Sequence, residues 1–136
     1  MADAEFDIVD NSQIFVAEMI KKKAKALEMV GLVAEGYAKR LCAVDTGRLR
    51  NSITHATKQN LGPTNYTDNN GTPYSDAVAK TTPESDAVYI GTNVEYAPYV
   101  EIGTVRTAAQ PYLRPAAADH MDQYRSIIKR VMKGEL

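Results

Sequence analysis

Between Ser12 and Cys42 apolar residues return every three or four positions, at Ile20, Ala24, Leu27, Val30, Ala34, Ala38 and Leu41, while Lys21, Lys22, Lys25, Glu28, Glu35 and Lys39 mostly fall on other faces. This spacing predicts one amphipathic helix. At ~1.5 Å per residue, about 30 residues make a rod of roughly 45 Å, longer than the diameter of a globule built from so short a chain. Part of the helix therefore has to project or pack on a neighbour. Asp10 with Gln13 three residues later fits a capping box at its start. Gly31 and Gly36 each cost about 1 kcal/mol relative to alanine, so they mark a bend or a close contact.

The 136 residues are read as one domain, long enough to bury a core without staples. Residues 1–11 are acidic and expected to be flexible, and the long helix takes 12–43. Residues 44–58 form a turn and a strand. In the turn Asp45 is placed to accept hydrogen bonds from the amides that follow it, and Gly47 allows the tight backbone. The strand, Ser52 to Lys58, rests on β-branched Ile53, Thr54 and Thr57. From 59 to 85 the chain is rich in Asn, Thr, Asp, Gly and Pro and has no period, which predicts a long polar loop or an extended hairpin. Residues 86–103 hold a strand, with Val88, Ile90 and Thr92 on one face, and a short helix with Pro98 in its first turn and Gly103 at its end. A last helix occupies 111–133, with Ala117, Met121, Tyr124, Ile128 and Val131 as its stripe. The fold class is α+β: two amphipathic helices packed on a small, mainly antiparallel sheet.

The chemistry-bearing residues are sparse. Sixteen Lys and Arg against 17 Asp and Glu leave a net charge of −1, which argues against autonomous DNA binding by phosphate neutralisation. One cysteine, Cys42, makes no internal disulfide and suits a small buried hydrophobe, and His55 and His120 lack zinc-finger spacing. Asp45, Glu95 and Glu101 are isolated carboxylates better read as structural than catalytic, and no Gly-rich phosphate cradle is present. No catalytic residue, cofactor or metal is expected. The acidic start is opposite to a secretory signal and no apolar run is long enough to span a membrane, so a cytoplasmic protein without a membrane partner is expected. Tyr89, Tyr96, Tyr99 and Tyr112 suit sheet packing and subunit interfaces equally.

Four blocks carry a resemblance. Val44-Asp45-Thr46-Gly47-Arg48-Leu49-Arg50-Asn51-Ser52-Ile53, Tyr89-Ile90-Gly91, Tyr96-Ala97-Pro98-Tyr99-Val100-Glu101-Ile102-Gly103-Thr104 and Gln110-Pro111-Tyr112-Leu113-Arg114-Pro115-Ala116 follow one another in an order and spacing that resembles the tail-component family of long-tailed bacteriophages. The resemblance implies a non-enzymatic virion protein of the neck or tail-completion type, assembled in the host cytoplasm. It also implies a homo-oligomeric ring, expected as a hexamer, that joins tail to head. Its neighbours would be head-tail connector and tail proteins, with DNA passing through the lumen without being read. Within the blocks Asp45, Gly47, Arg48, Tyr96, Pro98, Tyr99, Glu101, Gly103, Pro111 and Arg114 are expected to build the junction between sheet and helices or a subunit interface, with Arg48 or Arg114 pairing with Glu101. Two other readings compete: a tail terminator that ends tube growth, and a small nucleic-acid-binding protein using the Lys21–Lys25 helix.

Overall fold

The first helix begins earlier than its capping signal. The computed structural model describes residues 2–75, 83, 84 and 86–136, and α1 runs Ala2–Leu41. The expected flexible start at 1–11 is therefore helical from Ala2 onward, and Asp10 lies inside the helix. No Pro or Gly interrupts the chain before Gly31, so nothing in the sequence stops the helix from extending upstream. Its 40 residues make a rod of about 60 Å.

The remaining elements are short: α2 Arg48–Ser52, β1 Thr54–Ala56, β2 Tyr66–Thr67, β3 Pro73–Tyr74, β4 Tyr89–Gly91, α3 Ala97–Ile102, α4 Leu113–Ala118 and α5 Met121–Met132. The α+β class stands, with two separate two-stranded antiparallel sheets: β1 pairs with β4, His55 opposite Ile90, and β2 pairs with β3. Three expectations need correction. The corner after α1 continues into the helical turn α2, so the strand starts at Thr54 instead of Ser52. It ends at Ala56, because Thr57 and Asn60 exchange backbone hydrogen bonds in a turn. The last helix is broken at Asp119 and His120, which shifts the angular phase of its stripe: Ala116 is buried in place of Ala117, and Tyr124, Ile127 and Val131 face inward while Met121 and Ile128 are exposed. The polar segment supplies the β2–β3 hairpin; its residues 76–82 and 85 lie outside the described residues.

Two clusters form the core. At the C-terminal half of α1, Ala38 and Cys42 pack with Leu49, Ile53, Val94, Ala97, Tyr112 and Ala116. One turn earlier, Val30 and Ala34 meet Tyr124, with Val88, Ile90 and Ile127 against them. The break between α4 and α5 is pinned to α1 by ring stacking: His120 lies parallel to Tyr37 with centroids 3.6 Å apart, and the Tyr37 hydroxyl donates to Gln123. From Ser12 onward, the first buried residue on α1 is Ala26. Upstream, Ile14, Phe15, Val16 and Ile20 are all more than half exposed, so Ile20, expected in the buried stripe, is on the surface, as is Leu41 at the other end.

Between α1 and β1 a histidine is held by two carboxylates. His55 Nε2 is 2.6 Å from Glu28 and Nδ1 is 3.1 Å from Glu35, whose same oxygen accepts the His55 backbone N–H. The Glu35 hydrogen bond raises the imidazole pKa, burial opposes it, and Glu28 adds to the rise. Burial acts to raise the Glu35 carboxyl, but its bonds to His55 and Lys39 outweigh this and hold it below the ordinary range. The raised histidine stabilises fully below its ordinary value of 6.5 and loses that contribution as pH climbs through its folded value. Glu35 contributes above 4.5 and loses it as pH falls through its lowered folded value. The stability difference between the wild type and His55→Gln, measured by urea unfolding across pH, should therefore be largest between those limits and shrink in alkali; a flat difference would contradict it.

Gly31 gives that histidine room. A Cβ at Gly31 would meet the His55 ring and a Val88 methyl at 2.7 Å, whereas one at Gly36 meets nothing within 4 Å. Gly36→Ala should stabilise by about 0.5–1 kcal/mol through helix propensity, and Gly31→Ala should destabilise by about 1 kcal/mol net of that gain, because overpacking costs more. Denaturant midpoints of the two variants decide it.

Candidate functional site

The four sequence blocks come together around the C-terminal end of α1. The corner after α1 turns at Thr46, whose hydroxyl accepts the Arg48 N–H at 3.3 Å. This corrects the role expected of Asp45, which is exposed at the edge of the corner. Gly47 starts α2 with φ +83°, and a Cβ there would lie 2.5 Å from the Asn69 side-chain oxygen, so both backbone and space exclude a side chain. Asn69 in turn donates its backbone N–H to the Thr46 carbonyl and accepts from Arg50 at 2.9 Å, while Asn51 donates to the Thr67 carbonyl. The hairpin is thereby stitched to the corner.

Arg48 is the hub of this stitching. Its guanidinium makes two 3.1 Å bonds to the Glu95 carboxylate, so its partner is Glu95 and the expected pairing with Glu101 is not formed. The same group lies over the Tyr74 ring at 4.4 Å and the Tyr96 ring at 5.6 Å, and its Nε donates to the Tyr66 hydroxyl. Planar guanidinium between rings and a bidentate carboxylate uses properties that lysine lacks. Ser52 and Thr92 hydroxyls meet at 2.6 Å, tying α2 to the end of β4.

Glu101 does other work. Its carboxylate accepts the backbone N–H groups of Tyr112 at 2.7 Å, Leu113 at 3.1 Å and Arg114 at 2.9 Å, the open amides at the start of α4. Burial would raise its pKa, but these three donors and the Arg114 charge hold it below the ordinary range. Arg114 thus contributes its amide and a nearby charge, with no side-chain ion pair to Glu101. Gly103 ends α3 at φ +78°, where a Cβ would collide with backbone at Thr107 and Ala109. Pro98 occupies the first turn of α3, and Pro111 is exposed just ahead of α4.

The structure separates roles that the tyrosine sequence positions leave equal. Tyr112 is fully buried and burial pushes its hydroxyl pKa far up; Tyr99 and Tyr89 are exposed; Tyr96 is half-buried under Arg48. Sequence reasoning missed Tyr66, Tyr74 and Asn69 as parts of this corner, since nothing local signals that Arg48 reaches the two tyrosines or that Arg50 reaches Asn69. Cys42 is buried and its thiol pKa is raised by burial, as suits an inert core residue. Between the corner, the hairpin and α3 lies an open cavity of about 480 Å³ lined by Val44, Asp45, Leu49, Tyr74, Tyr96 and Val100 among others. Among the described residues no group of His, Cys, Asp or Glu is placed to hold a metal, and no helix is long and apolar enough to cross a membrane.

A corner built for packing, made of the blocks that resemble the phage family, coincides with a family-level match: the model described as "Bacteriophage HK97-gp10, putative tail-component" covers residues 10–103. The chain belongs to this HK97-gp10-like family. It is accordingly a structural tail component of a bacteriophage, and so part of the virion. No curated protein and no solved structure matches it. The family match spans α1 from residue 10 through α3 and stops at Gly103. The fourth block lies beyond it, joined to the matched part by the Glu101 carboxylate.

Glu101→Ala should cost about 2 kcal/mol, since it strips three amides of a charged acceptor, whereas Arg114→Ala should cost under about 0.5 kcal/mol. The Glu101 contribution is present above 4.5 and lost as pH falls through its lowered folded value. Thermal unfolding of both variants at neutral and acid pH measures this; equal losses would contradict it.

Proposed function

We propose that this tail component is the neck or tail-completion protein, a non-enzymatic subunit of a homo-oligomeric ring, a hexamer, that joins tail to head. DNA passes through the lumen without being read, and the ring abuts head-tail connector and tail proteins. The observation that carries this reading is the projecting half of α1. Ile14, Phe15, Val16 and Ile20 lie more than half exposed on a helix about 60 Å long, and an apolar face of that kind marks a surface completed by a neighbour. The internal corner supports it as well: Arg48, Glu95, Glu101 and Tyr112 are engaged in holding elements together. The lysine run adds little to a nucleic-acid reading, because Lys23 pairs with Asp86 at 2.6 Å and Lys25 donates to the Leu136 carbonyl.

Electron microscopy of particles made without this protein tests the assignment. Filled heads beside complete, unattached tails are the expected outcome. Overlong tubes would assign it to tail termination, and normal virions would remove both roles.

A further inference from the structure

Phe15, Met19 and Lys22 follow at steps of four and three and so share one face of the projecting part of α1, an apolar stripe that ends in a positive charge. Val16 and Ile20 flank it, and Met132 of α5 closes an apolar groove of about 370 Å³ beside it. At the opposite end of the same helix, the cavity after Leu41 has Val44, Leu49 and Val100 in its lining together with the Asp45 carboxylate and Arg48, whose charge is met by Glu95. The C-terminal end of α1 adds a partial negative charge there.

These two surfaces match in polarity and in charge, yet one chain cannot join them. Phe15 and Leu41 are 26 positions apart on one continuous helix, which holds them about 39 Å apart. An unlike pair of patches at opposite ends of a rigid element is what a heterologous, head-to-tail contact requires, and such contacts close into a ring when the rotation between copies closes.

We propose that the projecting end of α1 from one copy docks into the corner cavity of the next copy. Phe15 enters the apolar lining and Lys22 faces Asp45. Among the described residues neither Lys22 nor Asp45 has an ion-pair partner within its own chain. The docking rests on the ring reading and names the surfaces by which the ring is made. It also accounts for a cavity that the monomer leaves open between its own hairpin and α3.

Sedimentation equilibrium of the full chain over a range of concentrations, with thermal unfolding alongside, tests it. The wild type is expected to associate. Phe15→Asp should weaken association at least about thirtyfold with an unchanged unfolding midpoint at concentrations low enough for both proteins to be monomeric, as expected of a central apolar anchor that is exposed in the monomer. Lys22→Glu and Asp45→Lys should each weaken it about threefold, and the two variants mixed into one chain should restore it. A wild type that stays monomeric removes the ring reading and the docking with it. A wild-type oligomer that survives Phe15→Asp removes the docking alone. Loss with Phe15→Asp but no rescue by the charge exchange places the helix end on a different surface and overturns the pairing stated here.

Discussion

The other elements reach the first helix along a seam of small residues, and this close approach is the constraint on which the remaining structure depends. Ala26, Gly31, Ala34 and Ala38 are buried on α1, and each lacks the bulk that would hold a neighbour away. Gly31 admits the His55 ring, Ala34 admits Tyr124, and Ala38 lies against the cluster that contains Tyr112. With strands of two or three residues, neither sheet could stand alone. The β1–β4 pair persists because α1 provides a surface on which β1, β4, α4 and α5 all pack, and the β2–β3 pair is held through α2.

Polar contacts then set angles that apolar packing leaves loose. Arg48 joins the corner, the hairpin and the start of α3 through Glu95, Tyr66, Tyr74 and Tyr96. Glu101 carries the end of α3 to the start of α4 by taking three backbone donors at once. Both are charge-assisted, and both connect segments that sequence places 11 to 47 positions apart. The four blocks that carry the resemblance therefore meet at one internal corner. The surfaces that the proposed assembly uses, on the upstream part of α1 and around the corner cavity, lie apart from these internal contacts.

Much of the architecture is legible in the sequence. The 3.6-residue period exposed α1, and the length of that helix already implied that part of it leaves the globule. Pro98, Gly103 and Gly47 act as their types suggest, because φ preferences are local properties. The strand expected over residues 86–92 is present, shortened to Tyr89–Gly91, and the burial of Cys42 also followed from pattern. What went astray depends on distant partners. Asp45 resembles a cap, but Thr46 is the residue whose hydroxyl meets the Arg48 amide. Glu101 was expected to take an arginine and instead takes amides, since the chain from Gly103 to Pro111 brings the start of α4 against it. Arg48 finds Glu95 because α2, absent from the strand reading, turns it towards α3.

Sequence by itself determined the family, the α+β class, the long helix and the lack of a recognisable catalytic or metal-binding motif, because these rest on period, residue type and the order of short blocks. Only the tertiary structure decided which tyrosine is core and which is surface, which carboxylate holds which donor, and that α1 is left exposed at Ile14, Phe15, Val16 and Ile20. Those outcomes depend on which groups meet across long separations in the chain, and periodicity carries no information about a partner that lies on another element.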